Sequence, residues 1–390
     1  MGPVSTAALY DLREPTCWAS PPATFSFSSL QALRTCPRRW QLLHSTWGPH
    51  SRFPERPHPA AIEGQIVHEA LDILARELGL CGRPQIASDG FREAVARCGF
   101  WDFFASKVAE WNRRFASHPR AGPRYVLRTK PRDLANRAVC LFREQYKPAK
   151  GELRVARLAE STSGGPSPLS LLNARGSLPE VRLEHPSLPV VGVVDVVTLE
   201  QDRSTTVVDF KTGARKQGHK EQVLLYALLW WRVTGDQPRK VVVQYLESSW
   251  TMSPTEEDLV QTERVIADEI GQARDALTGR PAAARPGPEC TWCPVRPRCN
   301  EGWSQAERTS FADGRATTVD VEVAVASDPT PNGFLGMRAN GKEIAVVFDA
   351  AVGCDLPPFQ NCDRFRIVDA AKRAEGEEIV LLPWTEMYRM

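Results

Sequence analysis

Asp195, Asp209 and Lys211 are the residues whose types and spacing point most directly to chemistry. Asp195 lies in a β-branched run, and after a polar turn a second such run carries Asp209, Phe210 and Lys211. Because side chains alternate along a strand, Asp209 and Lys211 share one face. Carboxylates that bind a divalent ion beside a lysine are the groups that a phosphodiester-cutting site needs. The sequence therefore predicts such a site on a hairpin.

The segment after this hairpin is predicted to be a helix that adds two polar groups. Gln222 and Tyr226 stand four residues apart, so both side chains project from the same helix surface. Asp195, Asp209 and Lys211 have an alternative, purely structural explanation, in which they form a solvated face of the hairpin or a buried ion pair. Flanking valines would make unpaired burial of those charges costly, which favours the functional interpretation.

His68 is a candidate ligand from further upstream. It lies in an amphipathic helix predicted over 61–80. We expect Gly64, one turn earlier, to leave room above the imidazole and Asp72, one turn later, to orient its second nitrogen. On the local pattern alone, a packed or surface histidine is the commoner outcome.

Three cysteines near the end of the large domain have the spacing of a metal site. Cys290, Cys293 and Cys299 form C-x2-C-x5-C, which leaves one coordination position for a thiolate from elsewhere. Cys36 is the natural fourth ligand, since it precedes a proline as Cys293 does. Zinc and a [4Fe–4S] cluster both accept four thiolates, so ligand chemistry alone does not choose between them.

Composition indicates a globular protein with no membrane segment. The chain of 390 residues is 42% hydrophobic, and no run approaches the roughly 20 apolar residues that a membrane span requires. We expect a cytoplasmic protein. The net charge of +2 means that a nucleic acid would have to be bound by a local basic patch. Arg38 and Arg39 beside Trp40 are one candidate patch, although a solvated helix face is the commoner explanation for two arginines.

The chain divides into three predicted parts. Residues 1–23 are expected to be an irregular leader and 24–305 a large α/β domain, with a mainly helical insertion at about 90–147 and a loop at 161–177. Residues 311–390 contain five short β runs separated by turn signals. This pattern predicts a small all-β domain, either an OB-like barrel or a covering β-sandwich.

In this order, the motifs resemble the RecB-like branch of the PD-(D/E)XK nuclease superfamily, specifically its iron–sulfur members typified by the AddB nuclease domain and the CRISPR-adaptation nucleases. Each motif is short, but six in the right order make coincidence an unsatisfactory explanation. They are Cys36-Pro37, Gly64-Gln-Ile-Val-His68, Gly192-Val-Val-Asp195, Asp209-Phe-Lys211, Gln222-Val-Leu-Leu-Tyr226, and the trio Cys290, Cys293 and Cys299.

The resemblance implies a fold and a set of residue roles. The fold would be a restriction-endonuclease-like core, a central mixed sheet flanked by helices, closed by an Fe–S clasp. Lys211 would act on the attacking water or the transition state, while Gln222 and Tyr226 position it and the DNA. Glu184, on the preceding strand, is a further acid that could reach the metal. The Mg²⁺ or Mn²⁺ ligands would be His68, Asp195, Asp209 and the Phe210 carbonyl, and the [4Fe–4S] ligands, with zinc as the alternative, Cys36, Cys290, Cys293 and Cys299.

The implied function is metal-dependent DNA hydrolysis. The resemblance favours an exonuclease acting on single-stranded DNA or duplex ends in repair or recombination, CRISPR adaptation or antiphage defence. No G-x-x-x-x-G-K-[ST] motif is present, so unwinding would require a separate helicase partner. The alternative is a catalytically silent Fe–S DNA-binding or scaffold subunit of a larger complex.

Overall fold

A computed structural model describes most of the chain. The described residues are 8–10, 13–48, 50, 52–80, 88–118, 120, 126–145, 167–312, 317–349, 359–373 and 377–390. Among them no helix is long and apolar enough to cross a membrane. The described helices are α1 Phe27–Thr35, α2 Pro37–His44, α3 Pro59–Leu80, α4 Ser88–Arg97, α5 Phe100–Ser117, α6 Pro131–Gln145, α7 Pro168–Arg175, α8 Gln217–Thr234, α9 Glu256–Ala276 and α10 Asn300–Ala312.

A five-stranded mixed sheet forms the centre of the large α/β unit. Its strand order is β2-β3-β4-β5-β6. Only β4 and β5 run parallel, and α8 crosses over between them, as a parallel pair requires. The strands are β2 Ser177–Glu184, β3 Val191–Leu199, β4 Thr205–Lys211, β5 Lys240–Tyr245 and β6 Ser249–Met252.

Helices cover both faces of this sheet. On one face, α1, α8 and α9 pack against inward-facing side chains such as Val207 and Val243. On the other face, α3, α5 and α6 pack against Val208 and Val242. The alternation of adjacent valines between the two cores follows from the period of two in a strand. These layers hold the ends of β3 and β4 rigidly, which is what a site on the hairpin needs.

A second sheet contains the C-terminal strands. Strands β7, β8, β9, β11 and β10 pair in that order, and β10 pairs back onto β7, so five strands close into a ring. The last strand, β12, pairs with β10, and β1 pairs with β12. The strands are β1 Ala8–Tyr10, β7 Thr318–Val325, β8 Gly333–Arg338, β9 Glu343–Phe348, β10 Arg364–Arg373, β11 Glu378–Leu381 and β12 Glu386–Arg389.

The ring packs against the cysteine-rich segment through a shared core and buried ion pairs. Cys293 and Cys299 lie in the same apolar cluster as Val368 of β10 and Tyr388 of β12. Arg120, fully buried, donates from Nε to Glu386 Oε1 at 3.0 Å. The cysteine loop and the C-terminal strands therefore pack as one body.

The structure differs from the sequence predictions at several points. The leader was predicted to be irregular, yet Ala8–Tyr10 form a strand, because β12 offers a parallel edge that is distant in sequence. The predicted loop at 161–177 contains helix α7, capped by Ser167 with proline in its first turn; residues 161–166 lie outside the described residues.

Candidate active site

Asp195 is held by the backbone of the neighbouring strand. The Phe210 N–H donates to Asp195 Oδ2 at 2.6 Å, while Oδ1 lies 3.4 Å from His68 Nδ1. Burial raises the pKa of Asp195, but His68, Lys211 and the Phe210 N–H outweigh it and hold that pKa below its usual value. Asp195 is therefore an ionised carboxylate with a fixed orientation, as a metal ligand needs to be.

His68 reaches the hairpin from α3, on the other side of the site. Burial lowers the pKa of His68, but the neighbouring Asp195 carboxylate raises it above its usual value overall. Its helix lies close to the loop after β4, because a Cβ on Gly64 would be 3.0 Å from Thr212 Oγ1. The neighbour of this glycine is thus Thr212, and the role of Gly64 in leaving room above the imidazole stays a prediction.

Glu180 is a site residue that the sequence analysis missed. Ligand atoms of His68, Glu180 and Asp195 all lie within 4.8 Å of one another. Glu180 has a φ of 49°, which non-glycine residues rarely adopt, and it lies between strand residues paired with Val194 and Val196. The acid chosen from the sequence, Glu184, lies instead at the far end of β2 with a 61% exposed side chain paired to Arg182.

Asp209 and Lys211 form a partly buried ion pair. Asp209 is 1% exposed, and Lys211 Nζ lies 3.0 Å from its Oδ1. Burial and the Asp195 charge raise the pKa of Asp209 to about 7, with Lys211 opposing the shift. Asp195 and Asp209 therefore repel each other when both are ionised, and a bound divalent cation would stabilise the pair.

Gln222 and Tyr226 approach from α8, as the helical spacing predicts. Gln222 Nε2 donates to Tyr226 OH at 2.7 Å. Burial raises the pKa of Tyr226, and the nearby Asp209 carboxylate raises it further, so the phenol remains protonated. Gly192 explains how closely the helix approaches β3, because a Cβ there would lie 2.8 Å from both Tyr226 and Leu229.

His68, Glu180 and Asp195 line one cleft, whose chemistry suits a hard divalent cation, whereas Asp209, Lys211, Gln222 and Tyr226 are not among its lining residues. Two carboxylates, an imidazole and a neighbouring backbone offer oxygen and nitrogen ligands, the donor set that Mg²⁺ and Mn²⁺ accept. Phe210 and Asp72 also line the cleft. The lining residues are His68, Leu71, Asp72, Pro179, Glu180, Asp195 and Phe210.

The four predicted cysteines lie around one cavity, away from the cleft residues. Cys36, Cys290, Cys293 and Cys299 all line it, together with Gly302. A Cβ on Gly302 would lie 3.3 Å from the Cys299 sulfur and 3.6 Å from that of Cys290. Within the described part of the chain, however, no three cysteine sulfurs lie within 4.8 Å of one another.

Backbone N–H groups point at the sulfurs in this cavity. N–H groups of Arg39, Gly287 and Gly302 lie 3.5, 3.5 and 3.4 Å from the sulfurs of Cys36, Cys290 and Cys299. Burial raises the pKa of Cys293 to about 11. Without a bound cation that thiol stays protonated, while the N–H donors are placed to stabilise thiolates.

The arginine pair beside Cys36 is in part structural. Arg38 forms an ion pair with Glu301 at 2.8 Å, and its Nε donates to the Ala282 carbonyl at 2.6 Å. The nucleic-acid interpretation of Arg38 was therefore wrong, because its charge is used to bind the cysteine segment to α2. For Arg39 that interpretation stays a prediction.

A mixed sheet between helical layers carries Asp195, Asp209 and Lys211 on the adjacent strands β3 and β4. The sequence matches the PD-(D/E)XK nuclease superfamily over residues 24–300. The chain belongs to this superfamily, whose members use divalent metals to cut nucleic acid.

Other comparisons add little. No curated protein matches the chain. One solved structure, titled "Crystal structure of SSO0001", is similar at 17% identity with a TM-score of 0.21, over 34% of this chain and 65% of that one. The chain thus spans slightly less than two thirds of that structure, and so weak a likeness supports no inference about function.

Proposed function

We propose that this chain is a Mg²⁺- or Mn²⁺-dependent deoxyribonuclease of the RecB-like iron–sulfur branch, acting as an exonuclease on single-stranded DNA or duplex ends. The observation that carries the proposal is the convergence of His68, Glu180 and Asp195 within 4.8 Å. The buried Asp209–Lys211 pair lies beside them, and its pKa perturbation is typical of catalytic carboxylates.

The residues of the chain have distinct roles in this proposal. The metal would be held by His68, Glu180 and Asp195, with Asp209 and the Phe210 carbonyl completing its ligands, and it would supply Lewis-acid polarisation of the phosphate and a more acidic bound water. Lys211 orients that water and stabilises the charge that develops on the phosphate oxygens. Tyr226, held by Gln222, packs beside the acids and fixes the position of the lysine-bearing strand.

A divalent-ion titration with labelled single-stranded and double-stranded DNA tests the proposal. We expect cutting that depends on Mg²⁺ or Mn²⁺ and releases nucleotides from ends, with a circular substrate left intact. Lys211→Ala should lower the rate about 10²- to 10³-fold, whereas Lys240→Ala, on the next strand but at the opposite end of the sheet, should not. Wild-type rates in Lys211→Ala would contradict the catalytic assignment.

The alternative, a silent scaffold subunit, predicts a different result in the same assay. It requires DNA binding without metal-dependent cutting under all of these conditions. The presence of all the metal-site acids and of the lysine favours the enzyme. Burying the Asp209 carboxylate destabilises the fold, and a scaffold protein would have no need for that carboxylate.

We also propose that Cys36, Cys290, Cys293 and Cys299 hold a [4Fe–4S] cluster rather than zinc. Four thiolates on one zinc ion, at about 2.3 Å from it, lie about 3.8 Å apart, whereas a cubane cluster separates them more widely. The wider spacing of these sulfurs, the N–H donors and the space beside Gly302 support the larger group.

Spectroscopy separates the two metals. Anaerobically purified protein should absorb broadly near about 400 nm and contain iron and sulfide, and Cys36→Ser should lose that absorption. Colourless protein with one equivalent of zinc would contradict the cluster. Cys98→Ser, a half-buried cysteine on the helical layer, is the matched control.

For the domain organisation, we propose a nuclease unit at 24–305 with the helical insertion at 90–147 and an OB-like β unit at 311–390. The closed order β7-β8-β9-β11-β10 with a parallel β9–β11 pair supports the OB-like assignment. Buried bonds such as that from Arg366 to the Pro297 carbonyl, at 2.9 Å, indicate that this unit covers the cysteine loop.

The proposal includes the biological process in which the protein acts. Repair or recombination, CRISPR adaptation and antiphage defence all require trimming of DNA ends, and the absence of a phosphate-binding ATPase motif makes a separate helicase the natural partner. A cytoplasmic location fits such a substrate. Pull-down of the tagged protein from its own host, with and without nuclease treatment, tests for that helicase.

A further inference from the structure

Three cations lie together between the catalytic strand and α8. Arg215 and Lys216 are exposed in the loop that follows β4, and Lys220 lies in the first turn of α8. Across the described ranges, no carboxylate pairs with any of the three, although other cations of the same α/β unit, such as Arg232 and Arg239, do form ion pairs. A cluster of uncompensated cations on a protein of net charge +2 is a local positive patch.

This patch is continuous with the active site. Lys211 of β4 is directly opposite Tyr245 of β5, and Tyr245 OH lies 3.0 Å from His219 Nδ1. Burial lowers the pKa of His219 to about 4, and the charges of Lys211 and Lys216 lower it as well, which places both lysines near the same ring. His219 is therefore the neutral link between the catalytic lysine and the patch.

Aromatic rings and a hydroxyl, rather than acids, support two of the cations. The Arg215 guanidinium lies 5.5 Å from the centre of the Tyr245 ring, and its Nε donates to Ser248 Oγ at 3.2 Å. Lys220 Nζ lies 5.0 Å from the centre of the Trp250 ring. Such contacts hold the side chains in place without neutralising them, so their charge remains available to a ligand.

We infer that Arg215, Lys216 and Lys220 bind consecutive phosphates of the DNA strand whose scissile bond lies at the metal site. A phosphodiester backbone is the polyanion that the proposed reaction brings to this position, and cations beside aromatic rings are typical of surfaces that follow a single strand. This inference rests on the proposed function, and it assigns the route by which the strand leaves the cleft along the start of α8.

Binding and cutting by a matched pair of double variants test the inference. Arg215→Ala/Lys220→Ala removes two charges from the patch, while Arg239→Ala/Lys240→Ala removes two from the opposite end of the sheet. Affinity for a fluorescent single strand of about 20 nucleotides is measured in Ca²⁺, which supports binding with little hydrolysis, across a salt series. Rates are then measured in Mg²⁺ or Mn²⁺.

We expect the patch variant to bind about 10- to 100-fold more weakly, with a salt dependence smaller by about 1.4 in slope, since each single-strand phosphate contact contributes about 0.7. Its KM should rise while kcat at saturating DNA stays near wild type. Arg215→Lys/Lys220→Arg should restore binding, and the control variant should match wild type throughout.

The outcomes separate this inference from the proposed function. Equal affinity and salt slope in the patch and control variants, with wild-type protein cutting DNA, would overturn the patch alone. A fall in kcat with unchanged KM would also overturn it, since the residues would then act on the site rather than on the strand. Wild-type protein that neither binds nor cuts DNA would overturn both.

Discussion

Lys211 Nζ lies 2.8 Å from Asp209 Oδ2, two residues earlier on the same strand, so the charge of the lysine partly compensates the buried acid. A divalent ion held by Asp195 and its neighbours would supply positive charge beside Asp209, and Lys211 would then be available to water and phosphate. The pair is thus arranged to couple metal binding to the availability of the lysine.

Metal affinity should depend on pH through Asp209. Its pKa of about 7, raised by burial and by Asp195, means that a proton competes with the metal below that pH. We expect Mn²⁺ affinity measured by calorimetry to fall about tenfold per pH unit below about pH 7 and to level off above it. An affinity that stays constant from about pH 6 to about pH 8 would contradict the position of Asp209 in the site.

Glu180 should matter for metal binding and Glu184 should not. Glu180→Gln removes a charged ligand and should weaken Mn²⁺ binding at least about 10-fold, with a similar loss of activity at limiting metal. Glu184→Gln, on the same strand but exposed and paired with Arg182, should bind Mn²⁺ as wild type does. The reverse result would show that the register of β2 places the wrong acid in the cleft.

Gly192→Ala should damage the site through packing. The added methyl group would lie 2.8 Å from Tyr226 and Leu229, so we expect a loss of about 1–3 kcal/mol in the free energy of unfolding together with reduced activity. Gly271→Ala in α9, where nothing lies within 4 Å of the new atom, is the control and should stabilise by about 0.5–1 kcal/mol. Chemical denaturation measures both, and equal effects would rule out the close approach of α8.

Glu386→Gln should destabilise the whole protein. Burial raises the pKa of Glu386, but Arg120 and Arg56 outweigh it and hold that pKa well below its usual range. Removing the charge leaves Arg120 buried without compensation, and we expect a cost of about 3–5 kcal/mol near neutral pH.

The sign of the pH effect follows from this depressed pKa. The contribution of Glu386 is complete above the unfolded-state pKa of about 4.3 and is lost as the pH falls below it, so the gap between wild type and Glu386→Gln should close in acid. Removing the exposed Arg182–Glu184 pair should change little at any pH. A gap that widens in acid would contradict the assignment.

Local patterns were enough to predict much of the site. A β-branched run bounded by a turn predicted the strand that carries Asp209 and Lys211, and the spacing of Gln222 and Tyr226 placed both on one face of α8. Asp195, Asp209, Lys211 and His68 were predicted from short motifs on regular elements, and the structure places them close together. The hydrophobic periodicity of these helices and strands can be recognised in the sequence without knowing which elements pack against them.

The remaining features depend on contacts between distant parts of the chain. Glu180 enters the cleft because β2 pairs with β3 in one register and because its backbone adopts a positive φ, neither of which a strand pattern shows. Its position across the hairpin from Asp195 was the available signal. Similarly, β1 is three residues long, and it is a strand because β12, near the other end of the chain, supplies its partner.

That last pairing sets an order of events during synthesis. Residues 8–10 emerge from the ribosome early, yet their hydrogen-bonding partner, residues 386–388, is made only after the central sheet and the cysteine segment. Because contacts so far apart in sequence form slowly, we expect the β1–β12 pair to be the final closure of the fold. The nuclease sheet can therefore be complete on a nascent chain while the cysteine cavity still lacks its C-terminal cover.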